Sequence, residues 1–237
     1  SSRPGATGRA GGAGGTWMSD ALEAARTSGR NPIFLYASTN KVYGGMEDVK
    51  IVEKPTRWQY ASLEQGCDES QPLDFHSPYG CSKGAGDQYV RDYARIYGMR
   101  TVVFRQSCIY GPRQFGVEDQ GWLAWMVIAA VTGRPITIFG DGKQVRDVLH
   151  VEDLLDAYDA AIDRIDAARG QVYNIGGGVQ NVLAIWAEFG PLLRVRRPPP
   201  AGRASYRPEL RPQSGRPAVE RDPPRRPPSL ACLSSFS

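Results

Sequence analysis

A tyrosine and a lysine stand four residues apart in Tyr79-Gly-Cys-Ser-Lys83. At the start of a helix that spacing puts both side chains on one face, one turn apart. A phenol with its ordinary pKa near 10 is a poor base at neutral pH, and an ammonium beside it favours the phenolate. Such a pair can act as a proton-transfer unit. Upstream, Ser38-Thr39-Asn40-Lys41-Val42-Tyr43-Gly44 follows a short apolar run at 31–36. The run reads as a buried strand with Thr39 at its end, where parallel sheets present ligand-binding groups. A hydroxyl there can hold a substrate alcohol beside the Tyr79 oxygen, while Lys83 tunes the tyrosine and hydrogen-bonds a cofactor ribose. A Tyr/Lys pair alone is what any solvated helix surface offers; the threonine upstream sets this one apart.

Positioning these groups takes strands and helices in alternation. Ser19 is expected to cap a helix ending at Gly29, and the strand through Tyr36 follows. Residues 45–78, with Pro55, Pro72 and Pro78, read as a long polar excursion. Tyr79 to Tyr97 reads as a helix stopped by Gly98, and Arg100 to Arg105 as a buried strand. Residues 121–133 are expected to be helical, 136–150 to form a hairpin turned at Gly140–Gly142, and 151–165 to be helical again. Residues 171–178 then form a strand entering a glycine turn. Strands separated by helices imply an α/β fold with a parallel, wound sheet.

This domain is expected over 19–193, between a disordered glycine-rich leader, 1–18, and a disordered Arg/Pro-rich tail, 194–237. The tail holds ten of the eighteen prolines and cannot propagate a helix. It also carries a net charge of +7, so the overall +4 leaves the folded part mildly acidic and gives no case for nucleic acid. The chain has 237 residues, 41% of them hydrophobic, which is enough for a core. No run of 18 apolar residues and no apolar centre near the N-terminus point to a membrane or to secretion, so a cytoplasmic setting is expected. Cys67, Cys81, Cys108 and Cys232 lack metal-ligand spacing and read as isolated thiols; no metal is expected.

The strings S-T-N-K-V-Y-G, then S-P-Y-G-C-S-K, then R-Q-S-C-I-Y-G-P occur in a fixed order between about Asn31 and Gly178. Together they resemble the extended short-chain dehydrogenase/reductase family of nucleotide-sugar epimerases and dehydratases. The resemblance implies an incomplete Rossmann-like sheet with the remnant of a small substrate-binding domain. It implies NAD as cofactor, with Thr39, Tyr79 and Lys83 catalytic and with Ser38, Tyr79, Lys83 and Ser107 touching the cofactor. Thr39, Asn40, Cys108 and Arg146 would touch the sugar nucleotide. Arg146 would supply the cation for its ribose or phosphate, a planar, bidentate task that suits arginine. Asp147, His150, Glu152 and Asp153 read instead as caps of the next helix. Relatives dimerise through the helix bearing the tyrosine; Tyr89, Tyr93 and Tyr97 lie at helical spacing and would serve a homodimer face or core packing.

In the family's 4,6-dehydratases an Asp-Glu pair follows the threonine and serves to expel water. Asn40 and Lys41 stand here, so epimerisation through a keto sugar fits better than elimination. The closest resemblance is to the branch that inverts C2 of a CDP-linked dideoxysugar, with UDP-sugar 4-epimerases as near neighbours. Cys108 stands where many relatives have an asparagine that meets the sugar. The family's glycine-rich turn is also unmatched: Gly5-Ala-Thr-Gly8-Arg-Ala-Gly11 has the spacing but no strand before it. The chain therefore reads as the middle of an epimerase, truncated at both ends, with a catalytically dead fragment as the third reading. Without a helix N-terminus to receive the pyrophosphate, it is expected to bind NAD weakly or not at all. Isothermal titration checks this, and micromolar affinity would overturn it.

Overall fold

A computed structural model describes residues 16–118, 120–138 and 140–195. The glycine triplet at 5–11, most of the expected leader and tail, and Cys232 lie outside the described residues. In chain order the elements are α1 (Thr16–Thr27), β1 (Phe34–Thr39), a 3-10 turn (Asn40–Tyr43), β2 (Ile51–Glu53), β3 (Trp58–Tyr60), α2 (Ser77–Tyr97) and β4 (Thr101–Gln106). Then follow β5 (Cys108–Tyr110), α3 (Trp122–Thr132), β6 (Val145–His150), α4 (Val151–Asp163), α5 (Ile165–Ala168), β7 (Val172–Ile175), β8 (Val182–Ala184) and α6 (Phe189–Val195). They fall into two compact units: residues 16–44, 73–105 and 158–173, and residues 45–72, 106–157 and 174–195. The fold is α/β, with a parallel Rossmann-like sheet and helices.

The first unit is built on a sheet of order β1-β4-β7. β4 is the middle strand and all six of its residues are buried, as a strand with neighbours on both edges requires. Phe34 N donates to the Arg100 carbonyl at 2.9 Å and Val103 N to Gln171 at 3.1 Å. Against this sheet α1 lays Met18 and Leu22, one turn apart, into a core with Tyr36, Val90, Met99 and Val103. Helix α2 starts with Pro78, whose missing N–H costs nothing there, and ends at Gly98 in the left-handed region (φ 64°). Its end matches the expected stop at Gly98, but it starts at Ser77, two residues before the expected Tyr79, because Pro78 fits the first turn instead of closing the polar excursion. α1 instead starts at Thr16, three residues before the expected Ser19 cap, because Met18 is core rather than leader. At the other end α6 runs to Val195, two residues into the expected tail.

In the second unit, β6 lies between β5 and β8. It runs parallel to β5, with Cys108 opposite Val148, and antiparallel to β8, with Arg146 opposite Leu183. The hairpin expected at 136–150 is therefore wrong: β6 takes both partners from distant segments, and residues 134–138 form no strand. α3 and α6 close this unit, packing Met126, Ala129, Ile136 and Phe189 together. Cys81 and Cys108 are in no disulfide, whereas Cys67, also read as an isolated thiol, is disulfide-bonded. No helix among the described residues is long and apolar enough to cross a membrane.

Asp147 was expected to help cap α4. It is instead fully buried on β6, where its Oδ1 accepts from Gly177 N at 2.8 Å. A Cβ at position 176 would stand 1.9 Å from its Oδ2, so only glycine lets the chain pass this close. Glu152 and Asp153 do occupy the first turn of α4. Burial pushes the Asp147 carboxyl up to about 6, with the Gly177 amide and the nearby Ser107 hydroxyl pulling it back down. Between about pH 4 and 6 the folded chain thus holds a proton that the unfolded chain has released. Stability from this group is present below that window and is lost as pH rises through it, by an upper value of about 3 kcal/mol. Urea unfolding from pH 4 to 7 should show the wild type losing stability relative to Asp147→Asn as pH rises. A difference between the two that is flat with pH would refute the assignment.

Candidate functional site

The site begins with the way α2 meets the end of β1. Ser77 holds a left-handed conformation (φ 64°) just ahead of Pro78 and accepts from Gly80 N at 3.2 Å, which fixes the first turn. The Gly80 Cα lies close enough to the neighbouring 3-10 turn that a Cβ there would stand 3.5 Å from the Lys41 carbonyl. Tyr79 projects from this turn and is 55% exposed. One turn on, Lys83 Nζ donates to the Ala37 carbonyl at 3.0 Å and lies 5.5 Å from the centre of the Tyr36 ring. The ammonium is thus held to β1 two residues before Thr39. Tyr79 is near enough to Tyr36 that, after burial and Asp87, its charge helps push the Tyr36 phenol up to about 12.

Thr39 is buried at the last position of β1. Its Oγ1 accepts from Lys41 N at 3.3 Å, capping the 3-10 turn, and lies 3.5 Å from Asn40 Oδ1. Thr39, Asn40, Tyr79 and Lys83 are therefore gathered at one place, the end of β1 and the first two turns of α2. Ser38 is buried and donates its hydroxyl to Asp87 Oδ2 at 2.9 Å, so its proton is used inside the protein and only its acceptor capacity is left for a ligand.

Asp87 is the centre of a buried network that the sequence reading missed. Arg105 Nε and Nη2 reach its two oxygens at 2.8 and 3.0 Å, and Arg105 Nη1 donates to the Tyr43 hydroxyl at 2.8 Å. Gln88 Nε2 adds a bond at 2.8 Å. Burial alone would lower the pKa of Arg105, but Asp87 and Tyr43 outweigh it and hold the guanidinium above its ordinary value. The signal was available: Asp87 continues the 79, 83 spacing on α2, and an arginine ending the apolar run Val102-Val103-Phe104 needs a carboxylate to be buried at all.

The other expected residues belong to the second unit. Ser107 Oγ is buried near the Asp147 carboxyl. Cys108 is half-buried and near enough to Arg146 to affect its charge. Arg146 donates to its own strand's Val145 carbonyl at 2.8 Å, and no carboxylate pairs with it among the described residues. Burial lowers its pKa, countered by Cys108 and Tyr60. Tyr93 packs against the first unit's core, whereas Tyr89 and Tyr97 are exposed on α2. No trio of His, Cys, Asp or Glu able to hold a metal occurs among the described residues.

A model of the NAD dependent epimerase/dehydratase family matches residues 13–176. The chain is 51% identical over 173 residues to CDP-paratose 2-epimerase of Salmonella typhi, covering 71% of this chain and 51% of that one. It is 32% identical over 181 residues to dTDP-glucose 4,6-dehydratase of Neisseria gonorrhoeae, covering 73% and 45%. The crystal structure of dTDP-glucose 4,6-dehydratase from Bacillus anthracis in complex with NAD matches with a TM-score of 0.55 and 29% identity, over 75% of this chain and 48% of that one. The chain spans about half the length of these relatives. The family model covers well over half of this chain, including the strand end and the helix turn that carry Thr39, Tyr79 and Lys83, so the chain belongs to the NAD dependent epimerase/dehydratase family.

Proposed function

We propose that this chain carries the catalytic centre of a nucleotide-sugar epimerase of the CDP-paratose 2-epimerase type. The observation that carries the reading is Lys83 fastened to the end of β1, one turn from Tyr79 and two residues from Thr39. The 51% identity to a CDP-sugar enzyme favours that substrate over a UDP-sugar. NAD fits the nicotinamide-ribose end of this arrangement: the Lys83 ammonium has donors to spare beyond the Ala37 carbonyl, and the half-exposed Tyr79 leaves the place open. NAD, when bound, supplies the acceptor and donor of hydride.

The chain's own residues move the proton. Tyr79 takes it from the sugar hydroxyl as that carbon is oxidised, and returns it to the same oxygen once the keto sugar has turned and been reduced on its other face. Thr39 holds that oxygen in line with the phenol. Lys83 offsets the charge on the tyrosine oxygen while the proton is away. Arg146 receives the nucleotide's ribose or phosphate, and Cys108 lines the sugar's place with a small, weakly donating side chain. A cytoplasmic setting and a homodimer contact through the exposed Tyr89 and Tyr97 belong to the same proposal.

Turnover is measured by NMR of the product sugar from CDP- and UDP-linked substrates, with NAD in large excess. Tyr79→Phe should lower kcat about 100- to 10,000-fold, the range of a lost acid–base group, with KM little changed. Arg146→Ala should chiefly raise KM, roughly tenfold or more, as expected for a lost charged hydrogen bond. Inversion at C4 of a UDP-sugar, or turnover that survives Tyr79→Phe, would overturn the reading.

A further inference from the structure

The residues named so far leave one buried group beside the site without a task. Tyr36 is 4% exposed, lies on β1 and faces α2. Its hydroxyl donates to the Lys83 carbonyl at 3.2 Å, while the Lys83 ammonium curls back to lie 5.5 Å from the ring centre. The tyrosine therefore grips Lys83 at both ends, main chain and ammonium. The fit is close: a Cβ at position 86 would stand 2.2 Å from the Tyr36 hydroxyl, so Gly86 is what admits the ring. Burial and Asp87 hold the phenol far above neutral pH, so it stays a hydrogen-bond donor and does not compete for the ammonium as an anion.

We propose that Tyr36 is a positioning residue for Lys83, using its ring face to keep the ammonium against the Ala37 carbonyl and within reach of Tyr79; this rests on the function proposed above. The face of an aromatic ring attracts a cation within about 6 Å. The Ala37 carbonyl alone fixes one of three ammonium donors and leaves a four-carbon stem to swing. With the ring beneath it, the stem has a single resting place. Tyr36 is buried and its hydroxyl is spent on the Lys83 carbonyl, so it acts through Lys83.

The test reads Lys83 without turnover, by mass-spectrometric mapping of its rate of acylation by an amine reagent. Lys50 and Lys54, both exposed, serve as internal references. Tyr36→Phe keeps the ring and should leave the Lys83 rate within about twofold of wild type. Tyr36→Leu should raise it about two- to fivefold, the range set by a cation–aromatic contact. Phenylalanines of increasing fluorination at position 36 keep the shape while emptying the ring face, and should raise the rate step by step. They decide the matter alone if Tyr36→Leu fails to fold. Val103→Ala, a core change, should lower the melting temperature without altering Lys83. A Lys83 rate indifferent to fluorination, or raised equally by Val103→Ala, would overturn the proposal. NMR turnover on the same samples, read separately, reports on the epimerase reading, so the two fail in different assays.

Discussion

Everything at the first unit's site leans on one buried ion pair. Asp87 and Arg105 are at most 2% exposed, so both have given up their water. Desolvating two charges costs several kcal/mol each, and the pair holds only if the remaining hydrogen-bonding capacity is met. Here it is met by Ser38, Gln88 and Tyr43. Those partners come from the end of β1, from α2 and from the 3-10 turn, and Arg105 comes from β4. Removing one member strands a charge, so the four segments are specified together rather than merely packed. Ser38 directly precedes Thr39, and Asp87 lies one turn beyond Lys83. The pair thereby sets where the threonine hydroxyl and the lysine stand.

Close approach of α2 to β1 is the second half of that constraint. Gly84 and Gly86 each cost a helix interior roughly 1 kcal/mol relative to alanine. A Cβ at 84 would meet the Phe75 ring at 2.4 Å, and one at 86 the Tyr36 hydroxyl at 2.2 Å. The loss in helix propensity is offset by two aromatic rings packed flush against the helix. The result is a lysine stem lying over a ring rather than in solvent.

Much of this was legible in the sequence wherever the information was local. Gly98 marks the end of α2, and the four-residue spacing of Tyr79 and Lys83 survives in the structure because a helix enforces it; the start at Ser77 was missed because Pro78 read as part of the polar excursion rather than as a first-turn residue. The apolar run from Ile33 to Tyr36 announces β1. What escaped depends on partners far along the chain. β6 looked like half of a hairpin because glycines precede it, but it pairs with β5 and β8, and strand register between distant segments leaves no local pattern. The bond from the Ser38 hydroxyl to Asp87, 49 residues away, had no local signal either. Asp147 looked like a cap because acids cluster before α4, whereas its burial is decided by the close passage of Gly176 and Gly177.

The state of Thr39 shows how such a site can be rigid and still receive a ligand. Its hydroxyl has one proton and two lone pairs. One lone pair is used by Lys41 N at 3.3 Å, which fixes the rotamer by capping the 3-10 turn. Among the described residues the proton's acceptor is the Asn40 carbonyl oxygen at 3.5 Å, the limit of a hydrogen bond, where little energy is gained. Any oxygen acceptor arriving at normal distance would therefore replace a poor acceptor with a good one, and the backbone bond that orients the side chain would be untouched. The same division holds for Lys83, where the Ala37 carbonyl fixes one donor and leaves others for ligands. In Thr39 the bond to the main chain supplies the orientation, whereas in Lys83 the Ala37 carbonyl shares that task with the Tyr36 ring; both keep hydrogen-bonding capacity to spare.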